Sequence, residues 1–196
     1  MNKTKIVFSA VTILFLSSIL PMIVGVFSED SVRWATRRSV DIAFVFFFLS
    51  FGASAIHMFF QSTFSTWLLK NRRYLGISFG ISFLTHACLI LLLASLYPEP
   101  FLSDTSIGII YMGITAFSLT ALMTFSSNNA AVKLLGRKLW SGIHNVGGYY
   151  LLVIFTTTYL GKLEHVFFWP FALAVTCLVI LRALKLYKLL ITKQAV

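Results

Sequence analysis

The sequence predicts an all-α integral membrane protein, a bundle of six transmembrane helices with both termini cytoplasmic, and three observations predict it. The first is composition. Of 196 residues 58% are apolar and only 11% charged, with a mean hydropathy of +0.88. A soluble domain holds about 25% charged residues, so this much apolar surface needs lipid as its solvent. The second is segmentation: six stretches, 6–27, 41–60, 74–97, 106–125, 139–160 and 165–187, come close to the roughly 20 apolar residues that cross a bilayer, with short polar connectors between them. The third is the distribution of charge, taken up after the elements.

The first segment follows Lys3 and Lys5. It ends at Val26-Phe27-Ser28, which has the look of a cleavage site, but a signal peptide's apolar stretch runs about 7 to 15 residues and this one is longer, so it reads as a retained helix. The second is rich in phenylalanine, with Phe44, Phe46, Phe47, Phe48 and Phe51. These rings suit a lipid-facing wall better than a ligand site. The third opens on Gly76 and Gly80, a GxxxG spacing that favours a helix contact, and stops at Pro98-Glu99-Pro100. The fourth ends at Ser126-Ser127-Asn128-Asn129, before a basic, partly amphipathic stretch that runs to Lys138. Leu139-Trp140-Ser141-Gly142-Ile143-His144 opens the fifth, where Gly147 and Gly148 either make room for a flat ring or pack against a neighbour. The sixth carries Pro170 near its start, and a kink explains both that proline and Pro21. Trp34, Trp67, Trp140 and Trp169 fall near span ends, where amphipathic rings prefer the interface. Cys88 and Cys177 lie inside apolar runs and read as small core residues, with neither a disulfide framework nor a zinc spacing.

Lys and Arg gather on the cytoplasmic side of a membrane protein. With the N-terminus inside, the cytoplasmic segments hold Lys3, Lys5, Lys70, Arg72, Arg73, Lys133, Arg137, Lys138, Arg182, Lys185, Lys188 and Lys193, 12 of the 16 bases. Arg33, Arg37, Arg38 and Lys162 fall outside, as do all six acids or their boundary positions, Glu29, Asp30, Asp41, Glu99, Asp104 and Glu164. The formal charge of +10 therefore describes topology in the inner (cytoplasmic) membrane, with the lipid bilayer as partner, and not nucleic-acid binding.

With so few polar side chains inside the spans, each histidine is informative. His57, His86 and His144 lie within predicted helices and His165 at the outer end of the sixth. No carboxylate falls deep in a span, which argues against a proton- or cation-coupled transporter. Neutral imidazoles without a carboxylate suit haem iron held between helices; a lone membrane histidine also hydrogen-bonds a neighbouring helix. From Tyr74 to His86 is 12 residues and from Leu139 to His144 is 5, a difference worth about 10 Å along the normal, too far for two ligands of one haem. His57, three residues before Phe60, falls near the depth of His144.

Arg72-Arg73-Tyr74-Leu75-Gly76, then His86, then a basic loop and the Trp140 to His144 stretch resemble the ferric reductase-like transmembrane domain, in particular its short bacterial haem-binding members. The resemblance covers the second to sixth helices. It implies a six-helix bundle carrying haem b between the third and fifth helices and passing electrons across the membrane. Members of that family resemble one another in having two histidines on each of those helices, 13 or 14 residues apart. Here each helix keeps one: Arg73 and Arg72 stand before His86, and Thr157 and Thr158 after His144, at the family's spacing. By that pattern His86 is an outer-level ligand and His144 an inner-level one. The expected site is an inner-leaflet haem b on His144, with His57 or a non-histidine group as sixth ligand, Arg72 or Arg73 near the propionates, and an incomplete second site at His86.

No Gly-rich phosphate motif follows a strand, so flavin or nicotinamide chemistry falls outside this chain, and the stretch up to Val196 leaves no room for a dehydrogenase domain. Electrons would come from a cytosolic reductase or a quinone and leave to an outer-side acceptor such as ferric iron, a partner protein or oxygen. The alternative is a haem-free structural or assembly subunit, or a lipid-binding protein, of the same fold.

Overall fold

In the computed structural model, which describes residues 3–25 and 27–194, the described residues form helices joined by short connectors, with no strand among them, and Val26 and Val196 lie outside the described residues. Helices α1 (Lys3–Leu14) and α2 (Leu20–Val24) are joined by a π-helical turn, Phe15–Ile19, just before Pro21. There follow α3 (Glu29–Phe59), α4 (Thr63–Leu96), the short α5 (Pro98–Asp104), α6 (Ile107–Phe125), α7 (Asn129–Leu160) and α8 (Trp169–Gln194). Among the described residues five stretches are long and apolar enough to cross a membrane: Thr4–Val24, Glu29–Phe59, Thr63–Leu96, Ile107–Phe125 and Val166–Thr192. Helix α7 is as long as these. Its middle, with His144, Asn145, the glycine pair and Tyr149-Tyr150, is less apolar.

Local chemistry explains why α3 and α4 start well before the predicted spans. Ser28 and Ser62 each head a capping box in which the cap hydroxyl accepts from the backbone N–H three residues on, at Ser31 and Ser65, while that residue's hydroxyl accepts from the cap N–H. Both pairs satisfy donors that the first turn of a helix leaves free. Glu29 and Asp30 in the first turn of α3 suit its positive end. Helix α7 likewise begins at Asn128, whose side chain caps Ala131 N, and absorbs the basic stretch through a break at Gly136, where φ is +75°. Only glycine adopts that angle without strain.

Three of the five phenylalanines read as a lipid-facing wall, Phe44, Phe47 and Phe51, are core, and Phe46 and Phe48 are partly buried against it. Phe44, Phe47 and Phe51 follow the 3–4–7 spacing of one helical face and are 2%, 2% and 6% exposed. They meet Phe79 and Phe83 of α4, Phe155 and Tyr159 of α7, and Val175 and Leu178 of α8. Ring centroids stand 5.1 Å apart for Phe47–Phe155 and 5.3 Å for Phe47–Phe79. With lipid as solvent apolar residues gain nothing by being buried as such, so tight aromatic interdigitation, not hydrophobicity, selects that face. Helices α1 and α2 add two smaller clusters, Ile6 against Ala53, Leu68 and Leu75, and Met22 against Val32, Ala35, Leu89 and Leu93. Cys88 and Cys177 are exposed on the helix surfaces and are not core residues, because an outer face toward lipid accepts a small apolar thiol equally well.

Candidate functional site

Arg72, Arg73 and His144 line one cavity of about 440 Å³ between α3, α4, α6 and α7. That volume lies in the range of about 300–1,000 Å³ usual for cofactor and ligand sites. Its rim is polar, with Lys70, Asn128, Asn129, Ser141 and Asn145, and its floor is apolar, with Phe47, Phe51, Phe79 and Met123. The shape and chemistry suit an amphipathic anion whose flat or oily body enters first.

Each wall is set by identifiable contacts. Arg73 Nε donates to the Ser127 carbonyl at 2.7 Å and its Nη1 to Asn129 Oδ1 at 3.0 Å, and Trp140 Nε1 donates to the Ser126 carbonyl at 3.0 Å. Together they clamp the α6–α7 turn, so much of Arg73's donor capacity is structural. Arg72 Nε donates to the Ser50 carbonyl at 3.1 Å, and the residue lines the cavity. The two glycine pairs divide by role. A Cβ on Gly80 would collide with Thr124 of α6, and one on Gly148 with the Phe51 ring, while one on Gly147 would come within 2.6 Å of the Met123 sulfur. These three let helices approach. Gly76 has nothing within 4 Å of its Cβ position and lines the cavity, so its missing side chain widens the site.

His144 Nδ1 lies 3.0 Å from the Trp140 carbonyl, one turn back, and can only donate there. Nε2 then carries the lone pair. Ser127 Oγ is 3.4 Å from it, but that hydroxyl is donated to the Met123 carbonyl at 2.7 Å. Donation of one ring nitrogen to a backbone carbonyl is how the tautomer of a metal-ligating histidine is commonly fixed. The Trp140 ring, 4.2 Å from the His144 ring centroid, limits its rotation.

The other histidines are elsewhere. His57 Nδ1 is 2.9 Å from Ser65 Oγ, in the capping box of α4, and His57 does not line the cavity; it braces the α3–α4 turn. His86 Nδ1 lies 2.9 Å from the Thr36 carbonyl and 3.2 Å from Ser39 Oγ, beside Phe83 and Phe117. Because Arg73 meets Ser127 beside His144, the level of His144 on α4 is near residue 73. His86 is 13 residues further along (86 − 73), about 20 Å at 1.5 Å per residue and twice the separation expected from predicted span ends. His165 is exposed at the far end of α7, 3.5 Å from Glu164 Oε1.

Asp41 was placed by sequence at a span boundary, yet it is 6% exposed and well inside α3. Tyr159 donates to Asp41 Oδ1 at 3.1 Å, and Arg38 Nη2 lies 3.1 Å from Oδ2 without the alignment of a hydrogen bond. Lys162, in the nearby connector, lies over Phe168; burial pushes its ammonium below the usual lysine range, Asp41 opposing and Arg37 adding to the shift. No sequence motif marks this network, since its members are 118 residues apart.

Comparison with family models, curated proteins and solved structures finds no match for this chain.

Proposed function

We propose that the protein is a six-span membrane subunit, both termini cytoplasmic, that binds haem b through His144 and passes electrons from a cytosolic or quinone donor to an outer-side acceptor. The observation that carries this reading is His144, its Nδ1 held by the Trp140 carbonyl, lining one cavity together with Arg72, Lys70 and the rings of Phe47 and Phe79. The donor set would supply one imidazole to the iron. Met123, whose thioether is a known class of haem ligand, is the other soft donor among the lining residues, and no second histidine lines the cavity. Haem b, when bound, supplies a one-electron iron couple. His144 would hold the metal, with its Nδ1–H fixed on Trp140 so that Nε2 stays unprotonated. Arg72 and Lys70 would pair with propionate carboxylates, for which a guanidinium is well shaped. Phe47 and Phe79 would keep water from the ring's face. The basic residues collected at this end favour its placement on the cytoplasmic side.

The haem-free reading of the same fold is favoured by one observation: Arg73 and His57, two of the candidate site residues, already spend hydrogen bonds on turns. Haem content of membranes from haem-replete cells decides between them. His144→Ala should remove most haem at unchanged protein level, and His86→Ala should do less. The reverse ranking would place the ligand at the other end of α4.

A further inference from the structure

The most deeply buried cation at the basic end plays no part in that reading. Arg182, on α8, is 7% exposed, and its Nε is sealed from solvent with no hydrogen-bond partner among the described residues. The guanidinium lies over the Phe51 ring at 3.5 Å and near that of Tyr149 at 5.1 Å. Ring faces attract a cation but accept few of its N–H groups, so the buried Nε–H remains unmet. Lys185, three residues on, donates only to the neutral Ser54 hydroxyl, at 2.8 Å. Every acid–base ion pair among the described residues uses Glu29, Asp41, Asp104 or Glu164, at the opposite end of the bundle. A buried guanidinium with a basic neighbour and no carboxylate partner calls for an anion from outside the chain.

We propose that Arg182 and Lys185 bind the phosphate of an anionic phospholipid where α3, α7 and α8 meet. A phosphodiester offers unprotonated oxygens to the guanidinium fork and to the ammonium as a point charge. The position selects lipid over a soluble anion: Leu184, Leu186 and Leu189, which flank Lys185, are 47%, 46% and 45% exposed, and acyl chains can lie along them. Basic pockets between transmembrane helices recognise anionic headgroups in this way. Arg182 and Lys185 do not line the His144 cavity, so the site stands whether or not haem is bound there.

The test is lipid retention by the full chain in nanodiscs of phosphatidylcholine with a minor share of phosphatidylglycerol, read by native mass spectrometry. The wild type should retain phosphatidylglycerol above its share of the disc. Lys185→Gln should weaken retention about fivefold, the worth of one surface cation, and Arg182→Gln by tenfold or more, with Arg182→Lys between. Should Arg182→Gln not fold, Lys185→Gln at its partly exposed position carries the test. No preference in the wild type, or equal retention by wild type and Lys185→Gln, overturns the proposal. So does equal protection against thermal unfolding by inorganic phosphate in pure phosphatidylcholine discs, which would make the ligand a soluble anion.

Discussion

His144 and Asp41 show how one polar side chain in an apolar helix is governed by its nearest partners. The imidazole is oriented by the Trp140 carbonyl one turn back and confined by the Trp140 ring. Trp140→Phe keeps the carbonyl and a ring but loses the indole bond to Ser126. It should therefore leave haem bound while loosening the α6–α7 turn, seen as faster proteolysis there. Asp41 depends on Tyr159, and Tyr159→Phe leaves a buried carboxylate oxygen without its donor, a loss of about 1–3 kcal/mol. The check is thermal unfolding in detergent; an unchanged midpoint would mean that Arg38 alone suffices. His144 was legible from the sequence because polar residues are rare in the spans. Asp41 was not, since reading a span from hydropathy starts it at the last charge, whereas the Ser28 cap starts the real helix twelve residues earlier.

At the scale of elements, the glycines mark where helices touch and where they leave space. Gly80→Val places a branched side chain into Thr124 of α6, and Gly148→Val into Phe51. Overpacking of this kind costs about 1–3 kcal/mol each. Gly76→Phe, by contrast, points into the cavity and should lower haem content while the unfolding temperature holds. A haem level unaffected by Gly76→Phe would place the ligand elsewhere. The GxxxG spacing announced a helix contact but could not say that one glycine contacts and the other opens a cavity, because that depends on how α4 is rotated against α6. The phenylalanine face of α3 was misjudged for a related reason. Aromatic rings are equally at home in lipid and in a packed core, so composition alone does not orient them.

For the whole molecule, the helical membrane architecture follows from composition, and the separation of acids from bases predicts its direction. Cysteine variants at Lys133 and Glu99, made without Cys88 and Cys177, should be labelled by an impermeant reagent from the cytoplasmic and the outer side respectively. Labelling of both from one side would break the six-span topology. What the sequence does not contain is the axial register between α4 and α7. That register is set by Arg73 and Trp140 holding the α6–α7 turn, and it places His86 about 20 Å from His144. The two histidines, already too far apart by span counting to share one haem, therefore stand about twice as far apart along the bundle as that counting gives. The central claim is tested most directly by the reduced-minus-oxidised absorbance spectrum of the purified wild-type protein from haem-replete cells. The account predicts a sharp α band and about one haem per chain, and a colourless preparation would contradict it.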